Sequence, residues 1–339
     1  MSVGVGLRLP PCRNVAEMAS AARRAEQLGF DSVWFPDSQL LWRDVYATLA
    51  VAAASTERVT LGTAVTNVDT RHPSVLASAI RTVQEVAPER FVLGVGAGDS
   101  ALRPIGLRPT PGRRLRAQLD VVRTLLRGDE VDFGGGLLRL RDAVGPCPVY
   151  LAANGPRNLA LAGAIADGVI MLSGASTAAA GRGLASVHAG AREAGRDPGT
   201  LAVAVSAFAM ITDHLERDSR LVKPVVATIA QTGGSKLLAL AGISVSVPSR
   251  VPEVYPDLIH AEAWAEAVDH CGKWVSDDDA LAFARTFCLF GTAEEIVGRI
   301  TAIAAAGATK VLVQHVGSYD LPIDLMEAFG SDVLARLAP

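Results

Sequence analysis

The chain has 339 residues, half of them apolar, with a mean hydropathy of +0.29 and a net charge of −3 from 32 Lys and Arg against 35 Asp and Glu. That composition can bury a large core and excludes disorder as the general state, and the slight acidic excess excludes a nucleic-acid backbone or an anionic membrane as an electrostatic partner. Polar residues interrupt every apolar stretch before the roughly 20 residues of a bilayer helix, and residues 1–11 lack the apolar run of a signal peptide, so the expectation is a cytoplasmic protein with no membrane partner.

Short β-branched runs alternate with amphipathic stretches, the pattern of βα units and a parallel sheet. Residues 3–9 read as the first strand; Val15, Met18, Ala19, Ala22, Ala25 and Leu28 then recur at helical spacing between Asn14 as a cap and Gly29 as a stop. Strands follow at 32–36, 59–63 and 91–95, with helices at 45–54 and 75–86 between them. Prolines and glycines between 98 and 112 suit a loop. A helix resumes through Leu115, Leu119, Val122 and Leu126, and 131–140, with Gly134, Gly135 and Gly136 in its middle, reads as a hairpin because glycine accepts positive φ cheaply. A fifth strand at 148–152, a helix at 156–166, a sixth strand at 169–172, an Ala- and Gly-rich helix within 175–195 and a seventh strand at 201–212 continue the series. Residues 213–290 have no regular period and hold Trp264 and Trp274, so they read as an insertion over one end. A helix at 291–307, with Thr292 and Glu295 in capping-box spacing, leads to the eighth strand at 309–314. Eight strands with no point where their order must reverse favour a closed (β/α)8 TIM barrel over a doubly wound sheet. One domain is expected over 1–339, with insertions at about 98–146 and 213–290.

In such a barrel the ligand site lies where strands end and loops begin. Strand two ends in Pro36-Asp37-Ser38, and strand three runs into Ala64-Val65-Thr66-Asn67 and then Thr70-Arg71-His72-Pro73. Strand four ends in Gly94-Val95-Gly96-Ala97-Gly98-Asp99, strand five in Ala152-Ala153-Asn154-Gly155-Pro156-Arg157, and strand six in Leu172-Ser173-Gly174-Ala175. Acids and bases are scarce here, so the site is one of backbone and small side chains, suited to a large flat ligand. Gly94, Gly96 and Gly98 allow close approach of the main chain to a ligand, or serve tight barrel packing. Asn154 to Arg157 opens a helix whose free N–H groups suit a phosphate, although an ordinary capped helix looks the same. Neither a P-loop nor a dinucleotide-binding motif is met, because no Lys-Ser/Thr and no helix follow the glycines. Asp37 and Asp99 are the ionisable candidates, since an acid after a strand on this face can accept a bond from a ring N–H or tune a cofactor, or simply cap a helix or pair. Cys12, Cys147, Cys271 and Cys288 form no CxxC, and the six histidines form no HExxH, so no metal and no disulfide frame are expected; nor is there a GxSxG nucleophile motif.

Several segments together resemble the luciferase-like monooxygenase superfamily: Ala25-x-x-Leu28-Gly29-Phe30-Asp31-Ser32-Val33-Trp34, Val65-Thr66-Asn67 with Thr70-Arg71-His72-Pro73, Arg90-x-x-Leu93-Gly94-x-Gly96-Ala97-Gly98-Asp99, and Gly155-Pro156 followed by Ala166-Asp167-Gly168. The likeness is to the branch that uses the deazaflavin coenzyme F420, and within it to methylenetetrahydromethanopterin reductase-like proteins. It covers residues 3 to about 212 and returns at 290–314. It implies a cofactor ring against Ala64-Val65, joined by a non-prolyl cis peptide, and near Asp37. The cofactor-binding set is completed by Thr66, Asn67, Gly96, Ala97, Gly98 and Asp99, with the phosphate and tail on Ala153, Asn154, Gly155, Pro156 and Arg157 and on Ser173 and Gly174. Hydride passes between the reduced deazaflavin and a small organic substrate under residues 213–290, which offer Tyr255, His260, Trp264, His270 and Trp274; a homodimer is implied as well. Ser38 stands where dehydrogenase members carry a histidine base, and Gly6-Leu7-Arg8-Leu9 lacks the glutamate of the pterin reductase. Proton handling therefore falls to Asp99, a bound water or the substrate, with Asp37 and Asp99 as the catalytic candidates. The same barrel also accommodates FMN, which gives an oxygen-using monooxygenase as the alternative and a non-catalytic flavin-binding protein as a second one.

Overall fold

The computed structural model describes residues 3–317 and 319–337. Its strands are β1 (Gly4–Arg8), β2 (Ser32–Phe35), β3 (Thr60–Thr63), β4 (Phe91–Val95), β5 (Val131–Phe133), β6 (Gly136–Leu138), β7 (Val149–Ala153), β8 (Gly168–Met171), β9 (Ala202–Ile211), β10 (Leu289–Gly291) and β11 (Lys310–Gln314). Eight of them close a parallel barrel in the order β1-β2-β3-β4-β7-β8-β9-β11, with β11 pairing back onto β1, so the closed barrel read from the alternating pattern is the fold. The hairpin expected at 131–140 is the antiparallel pair β5–β6. Two details differ from the sequence reading. Strand β10 adds three residues alongside the end of β9, pairing Leu289 with Ala209, and the segment read as a loop holds a short helix, Asp99–Leu102, with a 3-10 turn at Arg103–Ile105. Both are too short for a period to show.

Local signals set the helix ends. Asn14 Oδ1 accepts from the main-chain N–H groups of Ala16 and Glu17 to start the helix Val15–Gln27, and Gly29 follows it at φ +94. Thr292 and Glu295 form a reciprocal capping box at the head of Ala293–Ala305. Strand residues then divide by parity. Leu7, Val33, Leu61, Leu93, Val203 and Val313 face the helices, while Trp34, Val92, Ile170, Ala204 and Leu312 fill the barrel. Trp34 needs the space that Gly62 leaves, since a Cβ there would lie 2.5 Å from the indole ring; its Nε1 donates to Ser32 Oγ at 2.9 Å. Residues 213–290 carry a second apolar cluster, including Val226, Leu238, Leu258, Phe283 and Phe287, built on the helices Lys223–Gln231, Trp264–Cys271 and Asp277–Phe287. No described helix is long and apolar enough to cross a membrane.

Candidate cofactor and substrate site

Beyond the Trp34 layer the inward side chains shrink to Ala64, Ala152 and Ser206, and a cavity of about 790 Å³ opens between the strand ends and the 213–290 segment. That volume suits a cofactor-sized or drug-sized ligand. Ala64, Val65, Ala152, Asn154, Gly155, Pro156 and Gly174 line one side of it, and Arg8, Ser206, Phe208, His315 and, from the insertion, His260 and Trp264 line the other.

The Ala64–Val65 peptide is cis, as the resemblance implied. The residues around it are fastened from behind. Thr66 N donates to Gly94 O and Gly96 N donates to Thr66 O, each at 2.9 Å. Thr66 Oγ1 donates to the Asp37 carboxylate at 2.6 Å, and the same carboxylate oxygen accepts from Arg71 at 2.5 Å. Arg71 also reaches Asp44 at 2.7 Å and lies 5.1 Å from the centre of the Tyr46 ring. Burial alone would lower the Arg71 pKa, but the charge and hydrogen bonds of Asp37 and Asp44 outweigh it and drive it above the usual value. Asp37 is therefore buried behind the cavity wall and acts on it through Thr66; it is not itself a lining residue. The glycines have packing duties in this structure. A Cβ on Gly94 would sit 1.8 Å from Thr63 O, one on Gly96 2.8 Å from a Val65 methyl, and one on Gly98, at φ +79, 2.7 Å from Asn67 Cβ. None of the three lines the cavity. Asn67 turns its Oδ1 onto the N–H groups of Asp69 and Thr70, leaving Nδ2 buried without a partner. Ala97 O accepts from Thr110 N at 2.8 Å. Asp99 heads the short helix, pairs with Arg103 and is also off the cavity.

Further round the rim, β7 ends at Ala153, which is buried, and Gly155 occupies the cap position of the helix Pro156–Ile165 without any side-chain cap. With proline at the first turn and no acid in it, the free N–H groups of this helix are open to an anion, and Arg157 is exposed beside them. Ser173, after β8, is buried with its Oγ unpartnered, and Gly174 adopts φ +115, where an added Cβ would lie 3.0 Å from the Phe287 ring.

Three residues on the opposite side escaped the sequence reading or were left undecoded. Arg8 ends β1, and its Nε donates to Ala64 O at 3.3 Å. His315 directly follows β11. His260, buried in the insertion, holds the Asp257 carboxylate on Nδ1 at 2.9 Å, and the main-chain N–H groups of Ile259 and His260 donate to the same carboxylate. Burial pushes the Asp257 carboxyl up, but these bonds and the His260 charge prevail and hold it below the usual carboxylate range. Trp264 lines the cavity and donates from Nε1 to Leu221 O at 3.1 Å, whereas Tyr255 is 71% exposed and His270 stacks edge-on with Trp274, off the cavity. Among the described residues no group of three or more His, Cys, Asp or Glu could hold a metal. The buried thiols are inert by environment, with Cys147 pushed up to about 12 and Cys271 to about 11.

Fold and site together define an α/β barrel with a roofed cavity at the strand ends, one wall of backbone and small residues and an anion-ready helix start. The model of the luciferase-like monooxygenase family matches residues 3–310, and the chain belongs to that family. It is 30% identical over 316 residues to a 5,10-methylenetetrahydromethanopterin reductase of Methanolobus tindarius, covering 91% of this chain and 92% of that one. Over 169 residues it is 40% identical to an F420-dependent glucose-6-phosphate dehydrogenase of Beutenbergia cavernae, a match that covers 44% of this chain and 50% of that protein. Among solved structures, the coenzyme F420-dependent tetrahydromethanopterin reductase of Methanopyrus kandleri superposes with a TM-score of 0.77 at 24% identity, covering 100% of both chains, and so shares the fold.

Proposed function

We propose that this protein is a coenzyme F420-dependent oxidoreductase that passes hydride between the deazaflavin and a small organic substrate. The observation that carries the reading is a single cavity lined both by the small apolar residues Ala64 and Val65 and by the uncapped helix start at Gly155–Pro156, one apolar face for a ring and one anion site for its tail. Kinship with enzymes named for F420 supports the deazaflavin over FMN and an active enzyme over a non-catalytic binder. When bound, the deazaflavin supplies the hydride chemistry. The chain's own residues do the rest. Ala64 and Val65 offer the ring face; Asp37 is a positioning residue that holds Thr66, and with it the Ala64–Val65 segment, in place; Gly155, Arg157 and the Ser173 hydroxyl receive the tail. Asp99 and Arg103, paired with each other, stand off the cavity. The 213–290 segment roofs the cavity against water, and His260, oriented by Asp257 on Nδ1, has its second ring nitrogen available to hold or move a proton at the substrate. A homodimer and a cytoplasmic location belong to the same reading.

Side-by-side fluorescence titrations of the purified protein with F420 and FMN test this. Micromolar or tighter F420 binding with much weaker FMN binding is expected, and the reverse preference would overturn it.

A further inference from the structure

Among the described residues Arg8 has no counter-ion. It lines the cavity, and its single hydrogen bond among those residues is the one from Nε to Ala64 O. Burial brings its pKa down to about 10, and no acidic group among them acts to restore it. Arg71 on the other wall is different, clasped by Asp37 and Asp44. The β1–β11 register, with Leu7 beside Val313, places Gln314 across from Arg8, and His315 follows one residue on, close enough to feel the Arg8 charge. It too lines the cavity, and its Nε2 is buried without a hydrogen-bond partner. Burial and then the Arg8 charge hold its imidazole neutral down to about 4, against the opposing pull of the Asp320 carboxylate and main chain. Apolar Phe208, Ile259, Trp264 and Phe287 line the same cavity, together with the polar Ser206, Lys236, His260 and Gln314.

A buried guanidinium offers five N–H donors and demands an anion to offset its desolvation. No described residue provides one, so the ligand must. We propose that Arg8, with His315 beside it, holds an anionic oxygen of the substrate, and that the substrate is an organic acid with a carboxylate head on an apolar body. The identification of this ligand as the substrate rests on the oxidoreductase reading above; the anion site itself does not.

The test is calorimetric binding of acetate, benzoate and cinnamate, each against its amide, to the wild type, Arg8→Gln and Arg8→Lys, with and without saturating F420. At least one acid is expected to bind tenfold or more tightly than its amide. Arg8→Gln should abolish that preference and Arg8→Lys keep part of it, with F420 leaving acid binding in place. Binding of the acid should also move the His315 ring titration upward by NMR, assigned with His315→Gln, because the anion cancels the Arg8 charge. Arg8→Gln should melt no lower than the wild type, since an unanswered charge has been removed; a marked fall would make Arg8 a structural residue and overturn the proposal. Equal binding of acids and amides, an acid preference that survives in Arg8→Gln, or displacement of the acid by F420 would overturn it as well. Failure of F420 to bind would refute the oxidoreductase reading while leaving the acid–amide contrast standing, so the two are read separately.

Discussion

The two sides of the cavity are built on opposite electrostatic plans. On the β3–β4 side every charge is answered inside the protein: Asp37 by Thr66 and Arg71, Arg71 by Asp37 and Asp44, and what reaches the cavity is alanine, valine and main chain. On the β1–β11 side and under the insertion, among the described residues, Arg8 lacks an acid, His315 Nε2 lacks a partner, and His260 keeps one ring nitrogen free. A wall that satisfies itself binds by shape and suits a ring held in place through many turnovers. A wall that leaves donors unsatisfied costs stability and binds by charge, which suits a ligand that must be told from others and released.

Breaking the paired side should cost most. Asp37→Ala removes the buried one of the two carboxylates on Arg71, leaving only Asp44, and frees Thr66; we expect a loss of about 2–4 kcal/mol in denaturant unfolding together with loss of F420 binding. Next comes His260→Asn, which keeps the roof packed but removes the proton-carrying nitrogen; kcat should fall about 100-fold while F420 affinity stays unchanged. Gly96→Ala presses a Cβ to 2.8 Å from the Val65 methyl, so stability should drop by about 1–3 kcal/mol and F420 should bind more weakly through the displaced Val65, both measurable in one titration series. Arg157→Ala, exposed at the helix start, should weaken F420 by only about two- to fivefold. On the unpaired side the effect is a pH dependence. Below the ordinary histidine value of 6.5 the unfolded chain takes up a proton that folded His315 refuses until about 4, so its contribution is full above about 6.5 and declines as pH falls toward 4. Comparing melting curves across that window, His315→Gln should flatten the decline.

The same division decides what could be read from the sequence. The barrel followed from the alternation of β-branched runs and amphipathic helices, and caps such as Asn14 and Thr292 are local chemistry that needs no tertiary context. On the paired wall, Asp37, Thr66 and Arg71 were within the segments singled out, although their clasp is 34 residues long in sequence and only folding reveals that Asp37 faces Arg71 instead of the ligand. The glycines were ambiguous for a similar reason, since a vacant Cβ position serves a ligand or a neighbouring strand equally well. Arg8 and His315 lie at the ends of the first and last strands, far apart in sequence, and only the β1–β11 closure, with Gln314 across from Arg8 and His315 next along, brings them to one wall. His260 belongs to an aperiodic segment, where only the three-residue spacing from Asp257 hinted at a dyad.

The most direct test of the two-sided account is a crystal structure with F420 bound. The ring should lie on Ala64–Val65 with the phosphate at Gly155–Arg157, leaving Arg8 and His315 facing open cavity. A ring whose oxygens are held by Arg8, or one bound away from Ala64–Val65, would contradict it.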